Sequence, residues 1–173
     1  MSTTLSPTVG PSIAEDVVPG DIERAIVRLN NLYAECLDDD RLEEWPEFFT
    51  DDASYKIHPR ENYRLGLEGY WLYFESKKML RDRVLSLREA NIYNIHVDRH
   101  LVSNIRVARS DDGTYIARAN YVVLQSNNEG RTIVFSTGEY MDKIVVIGGR
   151  ALFKERIVIP DTFLAISLIA VPL

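Results

Sequence analysis

Cysteine is nearly absent from this chain, and the scarcity limits the chemistry open to it. Cys36 is the only thiol, and the 173 residues include three histidines. An intrachain disulfide is therefore impossible, and nothing points to an oxidising compartment. An iron–sulfur cluster needs four Cys or His ligands in close groups, which one Cys and three scattered His do not supply in the usual spacings.

An excess of positive charge is also lacking. The chain has 20 Lys and Arg against 26 Asp and Glu, which gives a formal net charge of −6. Its basic stretches, such as Lys77-Lys78 and the segment 81–83, are interleaved with acidic or apolar residues. That pattern is typical of a solvated helix face and not of a surface that binds phosphates. We therefore expect no nucleic-acid partner.

Long apolar runs are missing too. The most apolar segment, residues 163–171, is shorter than the roughly 20 residues that a helix needs to cross a bilayer. The first residues show neither the basic start nor the apolar run of a secretory signal. Phosphate-binding glycine loops and the G-x-S-x-G elbow of hydrolases do not occur either. These observations predict a cytoplasmic protein without a membrane partner.

Three helices are predicted in the first half of the chain. Residues 1–20 are rich in Ser, Thr, Pro and Gly, show no periodicity and are expected to form a flexible arm. Asp21 can cap a helix over 21–37, where apolar residues recur at every third or fourth position. A shorter helix is expected around Trp45 and a third over 76–90.

Alternating polar and apolar residues predict strands in the second half. Strands are expected over residues 53–57, 100–109, 115–123, 131–146 and 150–159. Residues 59–69 are expected to form a loop, and Lys154 and Arg156 to share one face of the last strand. Helices first and a long meander second indicate an α+β fold. We predict one domain over 21–173, a cone-shaped curved antiparallel sheet whose concave face is covered by the N-terminal helices.

One short segment has the composition of a mononuclear metal site. His96, Asp98 and His100 would all point to one side of an extended segment, and two histidines with a carboxylate can hold iron or zinc. The alternative places His96 and Asp98 in a loop and gives His100 a structural hydrogen bond. We favour this second interpretation and predict no metal site.

Acid–base chemistry inside the cone would need a carboxylate or histidine that faces its apolar interior. The candidates are His58, Glu139 and Glu155, and Glu155 would face inward if Phe153 and Ile157 do. Against this, Glu155 can pair with an arginine across the sheet, or a bulge can change its facing. The apolar face of the first helix makes Cys36 an inert buried thiol.

Two apolar segments are candidates for contact with another chain. An aromatic run covers residues 70–74, and a nine-residue apolar run lies near the end of the sequence. Each can complete the core or cover a partner. The candidate interface residues are Tyr70, Trp71, Tyr73, Phe74, Phe163, Leu164 and Ile166.

Several segments resemble a known family. Residues 44–55 resemble the entry to the cone in the nuclear-transport-factor-2-like superfamily, whose sheet is of the cystatin-like type. More specific similarity, spread over residues 22–173, is to the small (beta) subunits of bacterial aromatic-ring-hydroxylating dioxygenases. The segments that carry it are 75–84, 99–107, 138–143, 153–156 and 160–161. Residues 87–93 and 170–173 look most like terephthalate dioxygenase small subunits, and residues 59–62 look more like those of salicylate hydroxylases.

The resemblance implies a subunit with no catalytic residue or cofactor of its own. In this family the large (alpha) subunit holds the Rieske [2Fe-2S] cluster and the mononuclear non-haem Fe(II), and reductase or ferredoxin acts through it. The small subunit completes an α3β3 hexamer, and by itself it can form a trimer. The implied substrate is a benzoate-type aromatic acid. The alternative is a free-standing isomerase or dehydratase that uses His58 and Glu155 inside the cone.

Overall fold

Helices and strands follow one another in an α+β order in the computed structural model, which describes residues 18–90, 95–162, 169 and 171–173. The helices are α1 (Gly20–Asp38), a 3-10 turn (Trp45–Phe48), α2 (Arg60–Leu65) and α3 (Lys77–Glu89). The strands are β1 (Phe49–Ile57), β2 (Leu72–Phe74), β3 (His96–Arg109), β4 (Tyr115–Asn127), β5 (Thr132–Ile147) and β6 (Arg150–Pro160). None of the described helices is long and apolar enough to cross a membrane.

One six-stranded sheet contains all the described strands, in the order β2-β1-β6-β5-β4-β3. The predicted meander is confirmed, because β3, β4 and β5 each pair with the next strand in antiparallel fashion. The sheet is antiparallel except at one place, where β1 pairs with β6 in parallel. The connection between them runs through α2, α3 and four strands, which leaves enough chain for a crossover.

The first helix covers one face of the sheet, as its apolar stripe predicts. Its buried residues include Ile26, Leu29 and Tyr33, and they join the same core cluster as the inner sides of the strands. The prediction that Asp21 caps the helix is wrong, because the helix begins at Gly20 and Asp21 lies in its first turn. Its negative charge interacts favourably there with the helix dipole. Burying this stripe is the main stabilising interaction of the helix, because helices in proteins are stabilised chiefly by the packing of an amphipathic face.

The other predicted elements are confirmed with shifted ends. The hydroxyl of Ser76 accepts a hydrogen bond from the Met79 amide and caps α3. The helix expected around Trp45 is only a single 3-10 turn, because β1 begins four residues later. The expected loop at 59–69 contains the short helix α2. Finally, β3 begins at His96 and not at His100.

A set of large aromatic side chains fills the space between α1 and the sheet. Each is at most 1% exposed, and neighbouring rings meet mainly edge to face. Its members are Tyr33, Trp45, Phe49, Tyr55, Tyr121, Tyr140 and Phe153.

Gly138 lies in β5 beside the main chain of β6. A Cβ at this position would collide with the Ile159 carbonyl oxygen and would lie 2.9 Å from the Tyr121 ring. The glycine therefore allows a close approach of two strands, which is its usual role inside a sheet.

Candidate functional site

A bulge in β6 decides which side chains enter the cone. Ile144 pairs with Phe153, but the preceding residue, Lys143, pairs with Glu155, so Lys154 is an extra residue in the ladder. The alternation of the strand is reset by this insertion. Phe153 and Arg156 are both fully buried, whereas Lys154 is exposed. The prediction that Lys154 and Arg156 share a face is wrong for this reason.

The bulge brings a guanidinium into the core, where it meets a carboxylate. Asp142 lies directly opposite Arg156 on β5. The Arg156 Nε and Nη2 atoms donate to its two oxygens at 2.9 and 2.8 Å. Nη2 also donates to Asn30 Oδ1, which α1 supplies, at 2.5 Å. The charged pair thereby joins two strands to the covering helix.

Aromatic rings enclose the guanidinium on several sides. Its central carbon lies 4.2 Å from the centroid of Tyr33, 4.1 Å from that of Tyr140 and 4.0 Å from that of Phe153. Rings at this distance attract a cation through their quadrupole and replace part of the water that it has lost. Sequence reasoning missed this cluster, although an Arg and an Asp within apolar strands are a signal for a buried pair.

The buried groups of this cluster are held in fixed protonation states. Burial alone would lower the pKa of Arg156, but the Asp142 carboxylate more than offsets this, and the pKa is raised. Burial also raises the pKa of Tyr33, Tyr55 and Tyr140. At neutral pH the guanidinium stays charged and the three phenols stay protonated. These side chains therefore supply hydrogen bonds and charge, and they do not exchange protons near pH 7.

The last described residue of the chain lies inside the cone. The hydroxyls of Tyr33 and Tyr55 donate to the carbonyl oxygen of Leu173 at 2.9 and 3.1 Å. The Leu173 amide donates to the Tyr55 hydroxyl at 3.0 Å, and its side chain belongs to the core cluster. The described part of the apolar tail thus completes the core. The candidate interface residues Phe163, Leu164 and Ile166 lie outside the described residues.

The candidate bases are placed away from this interior. His58 follows Ile57 on the opposite face of β1, and its Nε2 atom lies 3.0 Å from the Leu67 carbonyl oxygen. Glu155 accepts from Lys56 at 2.7 Å and from Ser54 at 3.1 Å, so its basic partner on β1 is a lysine where the sequence predicted an arginine. Glu155 would face the interior if Phe153 and Ile157 did so by regular alternation. The bulge at Lys154 breaks that alternation, so Glu155 does not face inward.

Glu139 and Cys36 are equally unsuited to proton transfer in the cone. Glu139 accepts from Arg118 at 2.9 Å and from Arg60 at 3.5 Å, on the side of β5 opposite to Tyr140. Burial raises the pKa of the Cys36 thiol to about 12. A thiol with this pKa is protonated at neutral pH and therefore a poor nucleophile, as the sequence predicts.

The histidine segment lies at the edge of the sheet. His96, Asp98 and His100 share one side of β3, so the expectation that His96 and Asp98 lie in a loop is wrong. The predicted structural hydrogen bond of His100 is confirmed: its Nδ1 atom lies 2.7 Å from Asp38 Oδ1. Asp98 accepts from Gln125 at 3.1 Å and lies 3.4 Å from His96 Nε2.

A cleft of about 430 Å³ opens beside this segment, between the end of α1 and the start of β3. The cleft is lined by Asp38, Asp39 and Asp40, and by Val171 near the end of the sequence. Within the described ranges, no three or more His, Cys, Asp or Glu side chains are grouped so that they could hold a metal ion.

The family is decided by the sequence profile of ring-hydroxylating beta subunits, which matches residues 33–164. The chain belongs to this family. The beta subunit is 42% identical over 148 residues to the small subunit of anthranilate 1,2-dioxygenase from Burkholderia cepacia, a match that covers 86% of this chain and 92% of that one. It is 37% identical over 151 residues to subunit beta 1 of the terephthalate 1,2-dioxygenase terminal oxygenase component from Comamonas sp, covering 87% and 98%.

The fold of the beta subunit is confirmed by a solved structure. A chain from Novosphingobium aromaticivorans, assigned as the beta subunit of an aromatic-ring-hydroxylating dioxygenase, superposes with a TM-score of 0.80 at 40% identity. The match covers 88% of this chain and 97% of that one. Distant structures at 18% identity share the fold alone, which is the nuclear-transport-factor-2-like α+β fold.

The aromatic run of the beta subunit divides between core and surface. Trp71 and Phe74 pack against the core cluster, and Phe74 stacks on Tyr55. Tyr70 lies 4.6 Å from the His58 ring and 5.0 Å from the Tyr73 ring.

Other apolar side chains in the segment from α2 to β2 are exposed. Tyr63 also contacts the His58 ring, and Leu65, Leu67 and Tyr73 are among the exposed large apolar residues of the beta subunit. We refer to the α2–β2 surface as the residues Tyr63, Leu65, Leu67, Tyr70 and Tyr73.

Proposed function

We propose that this beta subunit is the non-catalytic chain of a multicomponent oxygenase that hydroxylates an aromatic acid, and that it assembles with and stabilises a catalytic large subunit. The observation that carries the proposal is the filled cone. Its centre holds the Arg156–Asp142 pair and the main chain of Leu173, and both are held there by hydrogen bonds to other side chains of the protein. A scaffold needs such an interior, whereas acid–base catalysis needs a free titratable group.

The cofactors belong to the large subunit in this proposal. The Rieske [2Fe-2S] cluster and the mononuclear Fe(II) would be held there, and reductase or ferredoxin would deliver electrons to it. The proposed assembly is an α3β3 hexamer in the cytoplasm, a location that the single cysteine favours. Anthranilate and terephthalate, for which two relatives are named, are aromatic carboxylic acids, and this supports a substrate of the same class.

The alternative of a free-standing isomerase or dehydratase finds no support in the geometry. It requires His58 or Glu155 inside the cone. His58 instead lies beneath the α2–β2 surface, and Glu155 is paired with Lys56. The cone interior near Tyr33 presents hydrogen-bond donors and a compensated ion pair.

The α2–β2 surface is our candidate for contact with the large subunit. Leu65 is 59% exposed and Tyr73 is 40% exposed, and clustered exposed apolar residues mark protein interfaces. Lys56 Nζ lies 5.3 Å from the Tyr73 ring centroid, which gives the surface a mixed aromatic and basic character. Tyrosine is one of the residues enriched at such interfaces.

The test is co-expression with the large subunit from the same organism, followed by size-exclusion chromatography. We expect one complex that contains both chains, and we expect Leu65→Asp and Tyr73→Asp to weaken it. Leu85→Asp is the matched control, because Leu85 is 54% exposed on α3 and lies outside the α2–β2 surface. Independent migration of the two chains, with full activity of the large subunit alone, would overturn the proposal.

A further inference from the structure

Leu173 is held in the cone in the way that a bound ligand is held. It belongs to no helix or strand, and its amide and carbonyl groups both bond to side chains. Tyr55 on β1 contacts the two groups, at 3.0 and 3.1 Å, and Tyr33 on α1 contacts the carbonyl oxygen at 2.9 Å. The scaffold therefore recognises Leu173 through hydroxyl groups that lie 118 and 140 residues earlier in the chain.

Further hydrogen-bond donors surround the same place. The indole Nε1 of Trp45 and the Nη1 of Arg156 are buried polar atoms without a hydrogen-bond partner among the described residues. Both residues lie beside the tyrosines that hold Leu173: the central guanidinium carbon of Arg156 lies 4.2 Å from the Tyr33 ring centroid, and the ring centroids of Trp45 and Tyr55 are 5.4 Å apart. Two hydroxyls, an indole N–H and a guanidinium N–H thus meet in one apolar chamber. Such a set of donors suits a carbonyl or carboxylate oxygen.

The walls of the chamber suit a branched aliphatic group. Leu173 is 2% exposed and packs in the core cluster with the aromatic rings. The chamber therefore combines a tight apolar pocket with a donor-rich end, the usual composition of a small-molecule site.

We propose that the interior of the cone is a binding site for a small branched aliphatic carbonyl compound, and that Leu173 occupies it as an intramolecular ligand. Removal of the Leu173 side chain takes away the apolar contacts that anchor residue 173, so a free acid or amide of the same shape can displace its main chain and occupy the chamber. The inference rests on the contacts of Leu173 and does not depend on the proposed function.

The test uses the full chain with Leu173→Gly and two probes, 4-methylpentanoate and 4-methylpentanamide. Both reproduce the leucine side chain next to a carbonyl oxygen, and the amide removes the negative charge. We expect millimolar probe to raise the thermal midpoint of Leu173→Gly by several degrees and to leave the wild type unchanged, because its site is filled. A response to the acid alone identifies a carboxylate site, and a response to both identifies a carbonyl site. Both responses support the proposal.

Two controls separate recognition from simple cavity filling. Leu80→Ala opens a cavity at another fully buried leucine, on α3, and should show no response to either probe. Adding Tyr55→Phe to Leu173→Gly should weaken probe binding about fivefold or more by calorimetry, since it removes one hydrogen bond. If Leu173→Gly folds only when a probe is present during refolding, that rescue also supports the site.

Three results would overturn the inference. The first is a folded Leu173→Gly variant that does not respond to either probe. The second is an equal response from wild type or from Leu80→Ala. The third is failure of both Leu173→Gly and the milder Leu173→Ala to fold with probe present.

Discussion

Asp142 and Arg156 face each other on neighbouring strands and form a two-point ion pair with both side chains almost completely removed from solvent. The pair is extended by Asn30 of α1, so one charged cluster joins the sheet to the helix that covers it. A buried pair of this kind adds little to the free energy of unfolding compared with well-packed apolar residues, but removing one partner destabilises the protein strongly. Stability measurements can therefore distinguish a compensated pair from a free charge.

Asp142→Leu should destabilise the protein by about 3–5 kcal/mol, because it leaves the Arg156 guanidinium buried without its counter-charge. The double variant Asp142→Leu/Arg156→Met should recover most of this loss. The measurement is the free energy of unfolding from urea titration. Lys154→Met is the control, because it breaks an exposed pair with Asp52 and should cost less than about 1 kcal/mol. A double variant as unstable as the single one would contradict the prediction.

Asp38→Ala should cost about 2–3 kcal/mol. The Asp38 carboxylate accepts the backbone amide of His100 at 2.9 Å and lies 2.7 Å from its Nδ1 atom, so its loss leaves two polar groups buried without a partner. Asp39→Ala, at the neighbouring exposed position, should change the free energy of unfolding by less than about 0.5 kcal/mol. Equal effects of the two variants would show that the link between α1 and β3 is unimportant.

Gly138→Ala should destabilise the protein by about 1–3 kcal/mol through overpacking. The new Cβ would collide with the Ile159 carbonyl oxygen, which belongs to the backbone and cannot move away without disturbing β6. Gly20→Ala is the control, because its nearest neighbour is the flexible end of Arg24 at 3.4 Å. Thermal unfolding of both variants gives the comparison, and an unchanged midpoint for Gly138→Ala would contradict the proposed close approach.

Glu47 should make stability depend on pH in the acid range. Hydrogen bonds from Lys77 and then Arg81 lower the pKa of its carboxyl in the folded protein. A group with a lowered folded pKa contributes stability above its unfolded pKa, near pH 4, and loses it as pH falls through the folded value. The thermal midpoint of Glu47→Gln should therefore fall less than that of the wild type between pH 5 and pH 3. Lys77→Met removes the main partner and should flatten the profile in the same way; identical profiles for all three proteins would refute the assignment.

Much of the fold follows from local pattern. The stripe of α1, the cap at Ser76 and the two-residue alternation of β3 to β6 each reflect interactions between near neighbours, and the sequence reports them directly. The parallel pairing of β1 with β6 could not be predicted in this way. It depends on where a strand is placed after a long crossover, and that placement depends on contacts between distant segments.

The interior of the cone shows the same limit at the level of single residues. One inserted residue, Lys154, reverses the facing of everything after it in β6, so alternation placed Glu155 inside where the structure has Arg156. Asp142, Asn30 and Leu173 are far apart in the sequence, and no local pattern predicts that they lie together in the folded protein.

The sequence by itself determined the α+β class, the family and the shortage of thiols and imidazoles, because these depend on composition, periodicity and matched segments. Only the tertiary structure decided that the cone is filled by a compensated ion pair and by Leu173. The reason is physical: whether a charged or main-chain group can be buried depends on the partners that distant strands and helices bring to it.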